Sequence, residues 1–284
     1  HASAAFYLLT AKDQANIDKW IGMLEDNNKY RQQITENIMK QAESQLKELT
    51  EEQKSIIVIG DKWPVGVVGL VAGRLSDKYH RPTLAFHHEG DPKASGGASK
   101  FVASGRSIEE FDITAALKKC DDLLLRYGGH PQACGLTIEG EEKFEEFKKR
   151  FAAMADEQLK DVKPEKVVQV EAEVKLSNLT FDLLRQVEEF EPFGEANEKP
   201  LFMATRLNVE QVQTVGADGK HLKVLVSQDG DLKHLHKLIG FSFGDWCAKL
   251  KAGDKIDIIF ELGANEWNGN RELQLKIVDL KLSE

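Results

Sequence analysis

Two short stretches hold the residues best suited to gripping an anion. In "ASGRSIEEF" (103–111), Ser104, Arg106 and Ser107 surround Gly105. Two hydroxyls, a guanidinium and an unhindered backbone N–H suit the oxygens of a phosphate. In "GGHPQACG" (128–135), Gly128 and Gly129 let the backbone come close to a ligand, and His130 can donate from a ring nitrogen. A third stretch, "GDKWPVGVVGLVAGR" (60–74), begins a helix near Val65–Gly66, where exposed amides suit an anion, and carries Arg74 further along. Each has an ordinary alternative. Ser107 followed by Glu110 is a capping box. Two glycines before a histidine make a turn. Gly66, Gly69 and Gly73 share a helix face and suit close packing, and Arg74 can be a solvated side chain. On residue types alone both readings stay open. Other chemistries find less support. His87–His88 and His234 with His236 lack cysteine or carboxylate partners at metal-ligand spacing, the GxGxxG spacing is absent, and no Ser–His–Asp order can be supported.

The elements that must position these residues follow from periodicity. Residues 1–51 read as helical, with Ile17, Trp20, Ile21 and Leu24 at helical spacing and a long polar continuation of the kind that bridges domains. "SIIVIG" and "RPTLAFHH" read as buried strands, with "WPVGVVGLVAGRLSDKY" a helix between them. "GDPKASGGAS" reads as a turn. "FDITAALKKCDDLLLRY" is predicted to be one amphipathic helix with Ile113, Ala116, Leu117, Cys120 and Leu124 on one face, followed by the strand "ACGLTIE" and the helix "EKFEEFKKRFAAMADEQL". Alternating strands and helices imply an α/β domain over 52–162. After "KDVKPEK" the pattern changes. "VVQVEAEVKL", "LFMATRLNVEQVQTV", "HLKVLVSQDG", "HKLIGFSF", "KIDIIFELGANEW" and "ELQLKIVDLKL" read as strands, with one helix in "NLTFDLLRQVEEF" and a hairpin turn at Asn268–Gly269. This second domain, 163–284, fits a small all-β barrel of OB type.

Composition narrows the function classes. The 284 residues carry a net charge of −9, which argues against a uniformly basic nucleic-acid binder. Acid is concentrated in "EGEEKFEEF" and "EEFEPFGEANE", however. Residues 61–82 carry Lys62, Arg74, Lys78 and Arg81 against Asp61 and Asp77, so a local basic groove is compatible with the total. Three cysteines without a CxxC pair favour a reducing, cytoplasmic compartment. No apolar run reaches membrane-spanning length and no signal peptide opens the chain, so no membrane partner is expected.

Taken together, these motifs resemble a known family. "WPVGVVGLVAGRLSDKYHRPTLAF" with "SGRSI…FDITAALKKCDDLLLRYGGHPQACGLTI" resembles the DHHA1 domain of the DHH phosphoesterase superfamily. "FEPFGEANEKPLF", "HLKVLV", "IGF" and "NEWNGNRELQLKIVDL" resemble the OB domain of RecJ-like, single-strand-specific 5′→3′ exonucleases. "ASAAFYLLTAKDQANIDKWIGMLEDNNKYRQ" looks like the segment of that family that leads from the catalytic domain into the connecting helix. The resemblance implies an α/β DHHA1-type domain behind a long helix and ahead of an OB barrel. It also implies binding of single-stranded DNA and its 5′-phosphate, with a role in recombination and repair. The matching positions are Ser104, Arg106, Gly129 and His130, with Arg74 a further, secondary contact. In the OB domain the residue types suited to the task are Trp267, Phe241 and Phe243 for stacking and Lys220, Lys223 and Arg271 for phosphates. The family uses Mn²⁺ or Mg²⁺ held by its DHH domain, and single-strand-binding protein or a helicase are the expected partners of the whole enzyme.

One departure matters. No DHH tripeptide or metal-binding DxD occurs, and "HHEGD" (87–91) lies inside the DHHA1-like region. The expectation is a substrate-binding fragment that binds no metal and does not itself hydrolyse DNA. Cys134 stands where the family usually has alanine. Two rival readings remain: a standalone nucleic-acid-binding or protein-docking module, and a small-nucleotide phosphodiesterase, against which the OB tail argues.

Overall fold

The computed structural model describes residues 2–50, 52–89, 99–163, 165, 167–216, 219–232, 234–267 and 269–283. The expected turn at "GDPKASGGAS" lies outside them, apart from Ser99. Contacts divide the chain into two compact units, His1–Lys166 and Val167–Glu284.

The first unit opens with α1 (Ala2–Thr10) and α2 (Gln14–Gln45). The single helix expected here is broken because Asp13 caps α2, its carboxylate accepting from the Asn16 amide at 3.0 Å. Tyr7 of α1 stacks on Trp20 of α2 at 5.2 Å. Further along α2, Thr35, Ile38 and Ala42 are buried, the two apolar ones within the α/β core.

That core is built on five strands: β1 (Ile56–Asp61), β2 (Thr83–Glu89), β3 (Lys100–Arg106), β4 (Arg126–His130) and β5 (Ala133–Glu139). Their order is β1-β2-β3-β5-β4, with β1 and β2 parallel and the remaining pairs antiparallel. Parallel β1 and β2 require a crossover, which α3 (Val65–Tyr79) supplies. Val68, Val71 and Leu75 of α3 pack with Val58 and Ala85 on one face of the sheet. On the other, α4 (Ile113–Lys118) and α5 (Glu141–Gln158) bury Phe147 and Phe151 against Leu84, Phe86, Phe101 and Leu136. Each such ring contributes roughly 1.5–3 kcal/mol through burial.

The helix expected to run through Tyr127 ends at Lys118 instead. A 3₁₀ turn at Asp121–Leu123 comes next, and Arg126–His130 becomes an edge strand paired with β5. The short helix and turn already bury Ile113, Ala116, Leu117, Cys120 and Leu123, and ladder hydrogen bonds to β5 override the helix propensity of the residues after them. "GGHPQACG" is therefore a hairpin with Pro131–Gln132 at its tip. The expected capping box is also corrected. The Ser107 hydroxyl donates to the Phe111 carbonyl at 2.6 Å, and α4 is capped by Asp112, which accepts from the amides of Thr114 and Ala115 at 2.9 and 3.0 Å.

These hydrogen bonds, led by that from the Thr114 side chain, hold the Asp112 carboxyl below the usual carboxylate range. Its contribution is thus full above the unfolded value of about 3.9 and fades as pH falls through the lower folded value. Asp112→Ala should cost about 1 kcal/mol in urea melts near neutral pH, a difference that shrinks as the pH is lowered below the unfolded value of about 3.9.

The second unit contains β6 (Ala172–Glu173), α6 (Phe181–Glu188), β7 (Leu201–Val215), β8 (His221–Ser227), β9 (His236–Gly240), β10 (Lys255–Trp267) and β11 (Asn270–Leu282). The long strand expected over "VVQVEAEVKL" is reduced to the two residues of β6. β7, β8, β9, β11 and β10 form consecutive pairs, and β10 closes back on β7, giving a five-stranded barrel with OB-type closure. Leu222, Val224 and Val226 alternate inward along β8 and meet Leu238, Ile258 and Leu275 in the interior. Gly269 takes a positive φ of 78° at the β10–β11 tip, while Asn268 lies outside the described residues.

Candidate nucleic-acid interface

The sheet register places the two sequence motifs side by side. Arg106 pairs with Ala133, which pairs with His130; in the next row Ser104 pairs with Gly135, which pairs with Gly128. Opposed residues of an antiparallel ladder share a face, as do residues two apart along a strand. Ser104, Arg106 and His130 therefore share one surface, with Arg106 and His130 separated by two interstrand spacings, about 10 Å. Hydrogen bonds from the amides of Ile113 and Ser107 to the Pro131 and Gln132 carbonyls, 3.1 and 2.9 Å, tie down the hairpin tip.

This surface is on the α3 side of the sheet. A Cβ on Gly69 would lie 3.5 Å from the Ser104 hydroxyl and 3.6 Å from an Arg106 guanidinium nitrogen, and one on Gly73 would lie 3.8 Å from the Arg106 stem. The Arg106 side chain thus lies beneath α3, at ordinary contact distance from where side chains at Gly69 and Gly73 would stand. Arg106 donates to the Gly105 carbonyl at 2.8 Å. Neither Arg106 nor His130 has a carboxylate partner among the described residues. Arg74 is exposed on α3, one residue after Gly73.

The glycines divide by cause. Gly129 has a φ of +149°, and a Cβ there would fall 2.2 Å from the Ala133 carbonyl oxygen, so the hairpin itself demands glycine. Gly128 and Gly135 have no positive φ, and a Cβ would meet nothing within 4 Å at Gly128 and only ordinary contact, 3.8 Å from the Ala103 carbonyl, at Gly135. Fold and packing require neither. Gly135 lies on the floor of a shallow groove of about 320 Å³, walled by Val65, Ser104, Arg126 and Thr137 and lined by no acidic residue; Gly128 is its neighbour in register on β4. Cys134 points to the opposite, core side. Burial pushes its thiol up to about 12, so it stays protonated and packs as a small apolar residue.

The barrel presents a second surface. Lys223 lines a groove of about 460 Å³ with Lys237, Ile239, Leu273 and Gln274 on the outer side of β8, β9 and β11. Lys237 pairs with Glu272 at 2.6 Å. Lys220 is exposed in the β7–β8 connection. Phe241 is half-exposed and meets His221 edge-on at 5.2 Å, whereas Phe243 packs against the barrel core and over Gly240. Arg271 is exposed but engaged, with Glu188 at 3.5 Å, Glu266 at 3.9 Å and the Phe181 ring 5.6 Å beneath its guanidinium. The side chain of Trp267 lies outside the described residues. Reading the sequence alone missed Arg126 and Thr137 because they belong to no local motif, gave Gly135 no role although it closes "GGHPQACG", and missed Lys237 and Ile239, whose outward alternation around Leu238 was the available signal.

Among the described residues no group of three or more His, Cys, Asp and Glu could hold a metal ion, so the side chains present do not fit a Mn²⁺ or Mg²⁺ centre. No helix among them is long and apolar enough to cross a membrane.

Residues 52–157 match the DHHA1 domain family and residues 170–279 the RecJ OB domain family. The single-stranded-DNA-specific exonuclease RecJ of Bacillus subtilis is 28% identical over 283 residues, covering 100% of this chain and 35% of that protein. The RecJ of Salmonella typhimurium is 32% identical over 223 residues, 77% of this chain and 37% of that protein. The crystal structure of RecJ in complex with Mn²⁺ from Thermus thermophilus superimposes with a TM-score of 0.74 at 27% identity, over 100% of this chain and 39% of that one. The chain thus spans little more than a third of the curated relatives it matches. With both domain families matched in order and RecJ similarity running the length of the sequence, the chain belongs to the RecJ family, of which it carries the DHHA1 and OB domains.

Proposed function

We propose that this chain is the substrate-gripping part of a single-strand-specific 5′→3′ exonuclease of recombination and repair. Its DHHA1 domain holds the 5′-phosphate of single-stranded DNA on Ser104, Arg106 and His130, and the outer groove of its barrel takes the strand. The observation that carries this reading is the surface around Arg106 and His130. Two cationic side-chain types without carboxylate partners flank glycines that the fold does not need, which is what a bound backbone requires. The RecJ relatives point to single-stranded DNA as the ligand. Lys223 in the barrel groove suits a phosphate, and half-exposed Phe241 suits stacking.

In the whole enzyme, hydrolysis would rest on Mn²⁺ or Mg²⁺, which RecJ binds in crystals. The part of this chain is to hold and orient the strand. Single-strand-binding protein or a helicase as partners, and the cytoplasm as the location, belong to the same reading.

Binding should be strongly salt-dependent. With about four phosphates neutralised, affinity for an oligonucleotide falls roughly 50-fold between about 50 and about 200 mM salt. Fluorescence anisotropy with labelled single strands measures this. No detectable binding at low salt would favour the protein-docking alternative, and binding of dinucleotides as tight as that of long strands would favour the small-nucleotide one.

A further inference from the structure

Arg126 extends the same face beyond the phosphate row. In β4–β5 register Arg126 pairs with Thr137, which pairs with Val102 of β3, so the three share the face of Ser104, Arg106 and His130. The order of rows is Arg106–Ala133–His130, then Ser104–Gly135–Gly128, then Val102–Thr137–Arg126. Arg126 is exposed, its Nε donates to the Thr137 hydroxyl at 3.1 Å, and it has no carboxylate partner among the described residues. The hydroxyl contact holds the guanidinium against the sheet beside the groove.

Two of the three positions of the middle row, Gly135 and Gly128, are bare. Strand-interior glycine is less stable than alanine by roughly 0.5–1 kcal/mol, and here neither conformation nor packing explains it. A side chain at Gly135 would stand in the groove beside Arg126, and one at Gly128 would stand on the same face in the row between Arg126 and His130. Those ends are about 13 Å apart along β4, four residues at strand rise. That is about four nucleotides of a stacked strand at ~3.4 Å each, and fewer of an extended one.

Resting on the 5′-phosphate reading above, we propose that the glycine floor is a track for the sugar–phosphate backbone and that Arg126 is its second anchor, gripping an internal phosphate a few nucleotides from the 5′ end. The ligand of this face is therefore an oligonucleotide strand, not a mononucleotide, and a minimum strand length is needed for full affinity.

The experiment uses the 284-residue chain and 5′-phosphorylated oligothymidylates of increasing length at fixed low salt. For the unaltered chain, affinity should step up once the strand reaches Arg126. Arg126→Gln should remove that step, about tenfold, leave the shortest ligands unaffected and lower the salt slope by about 0.7, the share of one phosphate on a single strand. Arg126→Lys should restore part of the step, and Gly135→Val should weaken only the longer ligands. A step that survives Arg126→Gln, or an equal loss at every length, overturns the track. The Arg106 row is judged separately in the same series, by whether Arg106→Ala removes the preference for 5′-phosphate over 5′-hydroxyl. Loss of that preference with the step intact sinks the track alone; retention sinks the underlying reading.

Discussion

Arg106→Ala is expected to erase the preference of the chain for 5′-phosphorylated over 5′-hydroxyl single strands. Arg106 sits half-buried on β3 beneath α3, beside Gly69 and Gly73, and it donates to the Gly105 carbonyl next door. It is therefore pre-positioned without being neutralised. A charge-assisted contact of this type contributes about 1.5–3 kcal/mol, or roughly 10- to 150-fold in affinity. Competition between labelled strands that differ only at the 5′ end measures it. Arg106→Lys should recover part of the loss, because it keeps the charge and gives up the planar fork. The melting temperature should hardly move, since no ion pair of the fold is lost. An unchanged 5′ preference in the alanine variant would falsify the assignment of Arg106 to the phosphate.

Gly129→Ala and Gly135→Ala are expected to move stability in opposite directions, although both residues lie in one hairpin. At Gly129 a methyl group meets backbone: 2.2 Å to the Ala133 carbonyl oxygen and 2.7 Å to the Cys134 Cα, at a φ of +149°. Neither contact can yield without opening the β4–β5 ladder. Backbone strain alone is of order 1–3 kcal/mol, and with the clash the loss should reach about 3 kcal/mol, a fall of roughly 6–12 °C for a unit of this size. His130, one residue on, would lose its register with Arg106, so 5′-phosphate binding should fall as well. At Gly135 the methyl group meets only ordinary contact, and alanine should stabilise the strand by up to about 1 kcal/mol while weakening strand binding. Thermal melts and anisotropy on the two variants check both signs. Loss of stability in both would mean that Gly135 is structural, and the bare floor would lose its functional meaning.

These contrasts mark the boundary between local and long-range information. The α/β-then-barrel order was legible because hydrophobic periodicity is local: α3, β1, β2 and the inward alternation of Leu222, Val224 and Val226 all follow from nearest neighbours in sequence. The phosphate-suited character of Ser104, Arg106 and His130 was legible too, because it is a property of residue type. Arg126–His130 as a strand was not. Arg126 and Tyr127 read as the end of a helix and Gly128–His130 as a turn, and only hydrogen bonds to β5 make them an edge strand. The difference between Gly128 and Gly129 was likewise hidden, since composition is identical and backbone conformation is not. Arg126 remained unseen for the same reason, having no motif around it until Thr137 and Gly135 arrive from the next strand.

The sequence by itself determined which side chains could hold a phosphate and in what order the domains come, because side-chain chemistry and periodicity reside in single residues and short windows. Only the tertiary structure decided that Arg106 and His130 share a face, and that Gly129 serves the turn while neither conformation nor packing demands glycine at Gly128 and Gly135. Strand register is a pairing between distant segments, and a shift of one residue would have turned every one of these side chains to the other side of the sheet.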